Sequence, residues 1–228
     1  MSDLELALAH KYRLNDKPLV NVTAISGLLD DGKSGAFAGA AVKLTKEGLN
    51  YREEWKASGE RGTRVHGHVD DFLNHRPINC LPSDMGFVDA IEKFMTDREP
   101  HTFESEQIVL SEHGYGGRFD LVVEMDGETW LLDAKTGRPY PVEHTLQLSA
   151  YRYATGIAIY GSDGTLMSLR EMPYIDRTGC LYLREDGTYS LTEYPASKEA
   201  FEVFLGLLRA HQWTRTDEMK AVVKASRA

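Results

Sequence analysis

Apolar residues along this chain change their spacing twice, and the changes divide it into parts. Between Ser58 and His75, Val65, Val69, Phe72 and Leu73 recur at helical spacing, one stripe of an amphipathic helix. A second helix is predicted after Ser83, with Phe87, Ile91, Phe94 and Met95 on a common face. Alternation then takes over: FESEQIVL, RFDLVVEM and ETWLLDAK read as three strands. HTLQLSAYRYATGIAI reads as a helix and MSLREMPYI, GCLYLRE and TYSLTEY as further strands, the last two joined by Asp186-Gly187. Helices opening at Ser197 and Thr216 close the chain. Nearer the start, Thr23 or Ser26 can cap a short helix, and the Ala/Gly-rich 34–42 reads as a loop or a loose helix start. The expected fold is α/β: a central mixed sheet flanked by helices, with helical N-terminal additions. The expected organisation is one domain over 1–228, mainly helical in 1–98, sheet in 99–194 and helical again in 195–228.

The strands RFDLVVEM and ETWLLDAK are separated by Asp126-Gly127, the dipeptide favoured in two-residue type I′ hairpins. That turn sets a register in which Met125 faces Glu128, Val123 faces Trp130, Asp120 faces Asp133 and Arg118 faces Lys135. Alternation puts Phe119, Leu121, Val123, Met125, Trp130, Leu132 and Ala134 on a core face, leaving Asp120, Asp133 and Lys135 on the other. Directly opposed carboxylates have Cβ atoms about 4.5–5.5 Å apart and repel unless a positive charge lies between them. A divalent cation is the obvious candidate, and the neighbouring cations would set a phosphate site beside it.

Composition narrows the setting. With 228 residues, 42% apolar and 10% aromatic, the chain is long enough to bury a proper core. Its two cysteines, Cys80 and Cys180, are far apart and form no metal-binding spacing, so reduced thiols are expected. No continuous apolar stretch suggests a signal peptide or a membrane span, and the expected location is the cytoplasm. A net charge of −9 argues against a nonspecific nucleic-acid coat. The stretch 43–64 nevertheless carries Lys43, Lys46, Arg52, Lys56, Arg61 and Arg64, either a solvated helix face or a local basic groove.

The Asp/Glu-x-Lys string occurs at Asp31-Lys33, Glu54-Lys56, Asp133-Lys135 and Glu218-Lys220, but only Asp133 has an aspartate across a predicted hairpin. GRFD, a short hairpin, LLDAKTG and then QLSAY together resemble the PD-(D/E)XK nuclease superfamily, specifically its RecB-type exonuclease branch, often encoded by bacteriophages. RGTRVHGHVDDF is similar to that branch's helical histidine motif, ESEQIVL to its acidic strand, and VNVTAISGLLD to an N-terminal segment of phage members. The resemblance implies a restriction-endonuclease-like core and a metal-dependent DNA exonuclease serving recombination, replication or end processing. Position by position it implies Asp120, Asp133, His66 and the Ala134 backbone carbonyl as metal ligands, and Lys135 at the attacking water. Glu106 matches the acidic strand residue, with Glu104 a poorer alternative, and Gln147 and Tyr151 match the helix pair. The implied cofactor is Mg2+ or Mn2+, with the His66 imidazole tilting the site towards Mn2+. Two distant cysteines leave no basis for an iron-sulfur cluster. DNA, as linear ends or single strands, is the implied partner, contacted by Arg118, Arg61, Arg64 and Lys56; a recombination or replication protein is a further one. The loop expected at 32–41 is placed to close over that DNA.

Each of these residues also has a plainer reading. The hairpin face can be solvated, with acids and cations pairing diagonally. His66, in register with Val69 and Leu73, can be a packed histidine, while His68 and His75 are expected at the surface. Gln147 and Tyr151 can be ordinary helix partners. The Gly114, Gly116, Gly117 run is either a turn or an anion-binding nest. A structure-specific endonuclease and an inactive nuclease-fold binding module remain alternatives to the exonuclease. A retaining glycosidase also pairs carboxylates but has no use for the added lysine.

Overall fold

Ser2 and Glu5 open the chain with a reciprocal capping box that starts helix α1 (Asp3–Leu8), a signal legible in the S-x-x-E spacing but not anticipated above. A small hairpin follows, β1 (Arg13–Leu14) and β2 (Lys17–Pro18), then strand β3 (Val20–Asn21). The computed structural model describes residues 1–29 and 32–226, apart from the side chains of residues 102 and 103. Asp30, which ends VNVTAISGLLD, and Asp31, of one Asp-x-Lys string, lie outside the described residues. Helix α2 (Val22–Ser26) is capped by Asn21, whose side chain accepts from the Thr23 amide, and not by Thr23 or Ser26. Residues 34–42, expected as a loop or a loose helix start, lie within helix α3 (Lys33–Lys46), because Ala36, Ala38, Ala40 and Ala41 outweigh its glycines in helix propensity. Helix α4 (Tyr51–Leu73) starts a full two turns before Ser58, with Asn50 as its cap and Glu53 and Glu54 in its first turn. A 3-10 turn at Pro82–Asp84 leads into α5 (Met85–Arg98).

Seven strands then build the sheet: β4 (His101–Ser111), β5 (Tyr115–Met125), β6 (Glu128–Lys135), β7 (Gly156–Tyr160), β8 (Leu166–Arg170), β9 (Arg177–Leu183) and β10 (Tyr189–Glu193). Helix α6 (Pro141–Arg152) lies between β6 and β7, and α7 (Lys198–Trp213) and α8 (Asp217–Ala225) follow β10. The single helix expected over HTLQLSAYRYATGIAI is thus a helix and a strand. Ile157 and Ile159 favour extended backbone, and a Cβ on Gly156 would lie 2.5 Å from the Arg170 carbonyl oxygen of β8.

The eight-stranded sheet runs β10-β9-β6-β5-β4-β7-β8, with β3 added on β5. It is mixed: β6 and β9 pair in parallel, as do β3 and β5, while the other pairs are antiparallel. Asp126 and Gly127 both have positive φ, 55° and 77°, as the type I′ turn requires. The hairpin keeps its expected register from Met125↔Glu128 to Leu121↔Leu132 and stops there. β5 then changes partner, since β3 pairs with it at Tyr115 and Gly116. Asp120 falls in the gap between the two partners.

Three apolar clusters clothe the sheet; the smallest joins Ala7 and Tyr12 to Ile108, Leu110 and Ala158, and the other two flank the site. Leu121, Val123, Met125, Trp130, Leu132 and Ala134 pack with Val65 and Val69 of α4 and Phe87, Ile91 and Phe94 of α5. Val122 and Leu131 pack with α2, α6 and α7 through Val22, Ile25, Leu148, Tyr151, Phe204 and Leu208. Phe119 corrects the expected alternation: it belongs to this second cluster and not with Leu121. The pairing of β4 with β5 skips Glu106 and Asp120, and Glu106 has a left-handed φ of 51°, so regular alternation is interrupted there. The glycine run is no nest: a Cβ on Gly116 would lie 2.7 Å from Tyr12 Cβ and one on Gly117 2.7 Å from Tyr151 Cε1, so both mark close approach. His68 is buried near Asp84 and not at the surface, because α5 and its preceding turn cover that face of α4.

Candidate active site

Where β5 and β6 part, the backbone opens a notch that side chains fill. The Ala134 amide, past the end of the hairpin ladder, donates to Asp120 Oδ2 at 2.6 Å, fixing one oxygen of that carboxylate. The other oxygen, Oδ1, lies 3.1 Å from His66 Nδ1, presented by α4. Glu106 enters from β4, and its left-handed backbone, which costs of order 1–3 kcal/mol in a non-glycine residue, marks a place where the fold tolerates strain. Ligand atoms of His66, Glu106 and Asp120 all lie within 4.8 Å of one another. Arg118 Nε closes this side with a 2.9 Å contact to Glu106 Oε2.

Asp133 and Lys135 form the other half. Their side chains pair directly. Gln147 of α6 ties them together: its Nε2 donates to Asp133 Oδ1 at 2.7 Å, and its Oε1 accepts from Lys135 Nζ at 3.3 Å. The same Nε2 lies 3.1 Å from the Tyr151 hydroxyl, one helical turn on. Asp133 is buried, with its Oδ2 held against the lysine ammonium. A buried carboxylate beside two further carboxylates and an imidazole is a donor set that suits a divalent cation.

The electrostatics agree with that fit. Burial pushes the Glu106 carboxyl up to about 7, and the charge of Asp120 adds to the shift. Burial also raises Asp133. Burial works against Asp120 as well, yet the adjacent His66, with Lys135 and the Ala134 amide, holds its carboxyl below the usual range. Asp120 in turn raises His66 to about 9, against the effect of burial, so at neutral pH an imidazolium balances the buried acid. Burial opposes the charge on Lys135, but Asp133 and Asp120 outweigh it and keep the amine an ammonium.

The two halves line one cleft of about 690 Å3, together with His10, Tyr12, Asn21, Thr23 and Asp70. Gly59, Gly62, Thr63 and Gly67 of α4 complete its wall.

No family model and no curated protein matches this chain. Among solved structures it is similar to the crystal structure of SSO0001, at 13% identity and a TM-score of 0.45, over 94% of this chain and 84% of that one. It is also similar to an alkaline exonuclease, LHK-Exo, from Laribacter hongkongensis, at 13% identity and a TM-score of 0.47, over 92% of this chain and 93% of the exonuclease. At that distance function has to be argued from the cleft's own residues.

Of the residues singled out in the sequence, His66, Glu106, Arg118, Asp120, Asp133, Lys135, Gln147 and Tyr151 all meet in the cleft. Ala134 contributes its amide, while its side chain packs in the core on the α4 side. The α4 cations are not brought there. Arg64 makes two hydrogen bonds to Asp84, of 2.6 and 3.1 Å, and Arg61 lies over the Phe87 ring, both towards α5. Lys56 is exposed, 3.6 Å from Glu60. Glu104 pairs with Arg170 at 2.7 Å. Sequence reading missed His10, Tyr12, Asn21, Thr23 and Asp70 as cleft residues; of these Asp70 stands one turn after His66 on the same helix face, and that spacing was visible.

Proposed function

We propose that this chain is a divalent-metal-dependent deoxyribonuclease that hydrolyses phosphodiester bonds from DNA ends. The observation that carries the reading is the convergence of His66, Glu106 and Asp120 within 4.8 Å of one another, beside the Gln147-bridged Asp133 and Lys135. His66, Glu106 and Asp120, with Asp133 and the Ala134 carbonyl adjoining, would hold Mg2+ or Mn2+. The ion would supply positive charge to the phosphate oxygens and help to activate water. Hydrolysis forms one phosphorus–oxygen bond to water and breaks one to the departing sugar oxygen, which must receive a proton.

The chain's own groups divide that work. Lys135, kept charged by Asp133 and Asp120, donates to a phosphate oxygen or to the water; as an ammonium it is a charge stabiliser and not the base. Gln147 locks Lys135 and Asp133 in one orientation, and Tyr151 closes the network behind them. Arg118, which pairs with Glu106, would make a second phosphate contact. Such contacts bind the backbone and leave little sequence preference.

The test is to incubate the purified protein with end-labelled linear DNA and covalently closed circles, in Mg2+, Mn2+ or chelator. Loss of label from linear DNA alone, abolished by chelator, is expected. Nicking of circles at a matching rate would make the protein an endonuclease, and failure on both substrates would remove the nuclease reading.

A further inference from the structure

Helix α4 carries more than His66 on its cleft-facing side. Tyr51, Trp55, Gly59, Gly62, His66 and Asp70 follow one another at three- or four-residue spacing and so lie along one stripe. The last four line the cleft. The first two, outside it, join Phe37 of α3 in an aromatic cluster: Phe37 and Trp55 meet edge to face at 5.3 Å, and Tyr51 and Trp55 at 5.0 Å. This cluster is not core. Phe37 is 40% and Trp55 38% exposed, and α3 has no buried residue at all.

Two cations lie against it. Lys33 Nζ, which also pairs with Glu143 at 2.6 Å, is 5.9 Å from the Phe37 ring centre, and the Arg52 guanidinium is 5.7 Å from that of Tyr51. Lys56, next to Trp55 in sequence, makes only a loose surface pair of 3.6 Å with Glu60. Between the aromatics and His66 the stripe is glycine. A Cβ at Gly59 would meet nothing within 4 Å, and one at Gly62 only the Thr136 hydroxyl at 3.8 Å. Packing therefore does not require these glycines, although each costs the helix about 1 kcal/mol relative to alanine. A chain passing close over α4 would require them.

We propose that Phe37, Trp55 and Tyr51 form a base-stacking platform for single-stranded DNA, from which the strand runs over the glycine trough to the cleft. The proposal rests on the nuclease reading and adds where the strand is held. Trp55 and His66 are separated by about 16 Å along the helix axis, the reach of a few nucleotides of extended strand. Aromatic faces interleaved with cations suit bases and phosphates together and suit an apolar protein partner less well.

The test is fluorescence anisotropy with a labelled oligothymidylate, and with the same strand built from abasic sites, in chelator so that nothing is cleaved. Trp55→Ala and Phe37→Ala should each weaken binding of the normal strand roughly tenfold, within the range for one stacked base. Trp55→Phe should recover most of that loss, and on the abasic strand all variants should match the parent. Equal losses on both strands, or none, would overturn the platform. So would a parent dimer that Trp55→Ala dissociates without changing oligonucleotide binding, which would make the patch a self-association surface. Binding with the expected pattern in a protein that cleaves no DNA would leave the platform standing while removing the nuclease reading.

Discussion

At the scale of single residues, the site is a contest between burial and neighbouring charge, and Lys135 shows how it resolves. Burial alone would strip the proton from this amine, but Asp133 and Asp120 hold it in place. A cation so close to the acids opposes metal binding electrostatically even as it assists the chemistry. Lys135→Met is therefore expected to keep or improve Mn2+ affinity by calorimetry while cleavage falls about a hundredfold, the range for removing a charge stabiliser. Metal affinity and activity lost in step would mean that Lys135 holds Asp133 in position and does no more. Asp133 and Lys135 were legible in the sequence because strand periodicity and an Asp-Gly turn set their face without any long-range knowledge, whereas the expected Asp120↔Asp133 pairing was not formed, the hairpin ladder ending at Leu121↔Leu132. The left-handed backbone of Glu106 was not, since nothing about a glutamate in an alternating strand announces a positive φ.

At the scale of elements, the functional geometry comes from a hairpin that stops being one. β6 follows β5 to Leu132 and then continues only with β9, through Asp133↔Cys180 and Lys135↔Tyr182. α6 fills the space so opened, and it can approach because Gly117 of β5 has no side chain. A Cβ there would lie 2.7 Å from Tyr151 Cε1 and 3.0 Å from Val22 Cγ2. Gly117→Ala is thus expected to cost about 1–3 kcal/mol in chemical denaturation. It should also lower cleavage several-fold, because displacing Tyr151 disturbs Gln147 and with it both Asp133 and Lys135. Full activity in a destabilised variant would show that the α6 network only supports the fold. Helix α6 was readable from His144 to Arg152, but its start at Pro141 and its end were not: the step from Arg152 to β7 depends on a close approach of Gly156 to the backbone of β8, a partner distant in sequence. Local propensity was decisive at α3, where alanines settled as helix a stretch that its glycines had left open between a loop and a loose helix start.

At the scale of the whole molecule, the sheet and α4 force several buried or half-buried ionisable groups together, so global stability should report on the site. The strand order could not be read from the sequence, because the parallel β9 is inserted beside β6 by contacts remote along the chain. Its consequence for stability follows from two shifts of the same sign. His66 is raised to about 9 from an unfolded value near 6.5, so its contribution is complete below about pH 6.5 and is lost as pH rises through about 9. Glu106, raised to about 7, likewise favours the fold when protonated, and that contribution is lost as pH rises through about 7. These two groups should therefore cost the metal-free protein stability as pH rises, Glu106 up to about pH 7 and His66 from about 6.5 to about 9. A divalent cation that binds His66, Glu106 and Asp120 displaces those protons, so its affinity and its stabilisation should grow over the same interval. At a hundredfold excess over the dissociation constant, binding adds about 2.7 kcal/mol, and for a chain of this size that raises Tm by roughly 5–10 °C. Thermal scans at pH 6.5, 7.5 and 8.5 with and without Mg2+ are expected to show a metal-induced rise in Tm that increases with pH. In Asp120→Asn that rise should disappear. A rise that is flat or falling with pH, or one that survives in Asp120→Asn, would mean that these three donors do not form the metal centre.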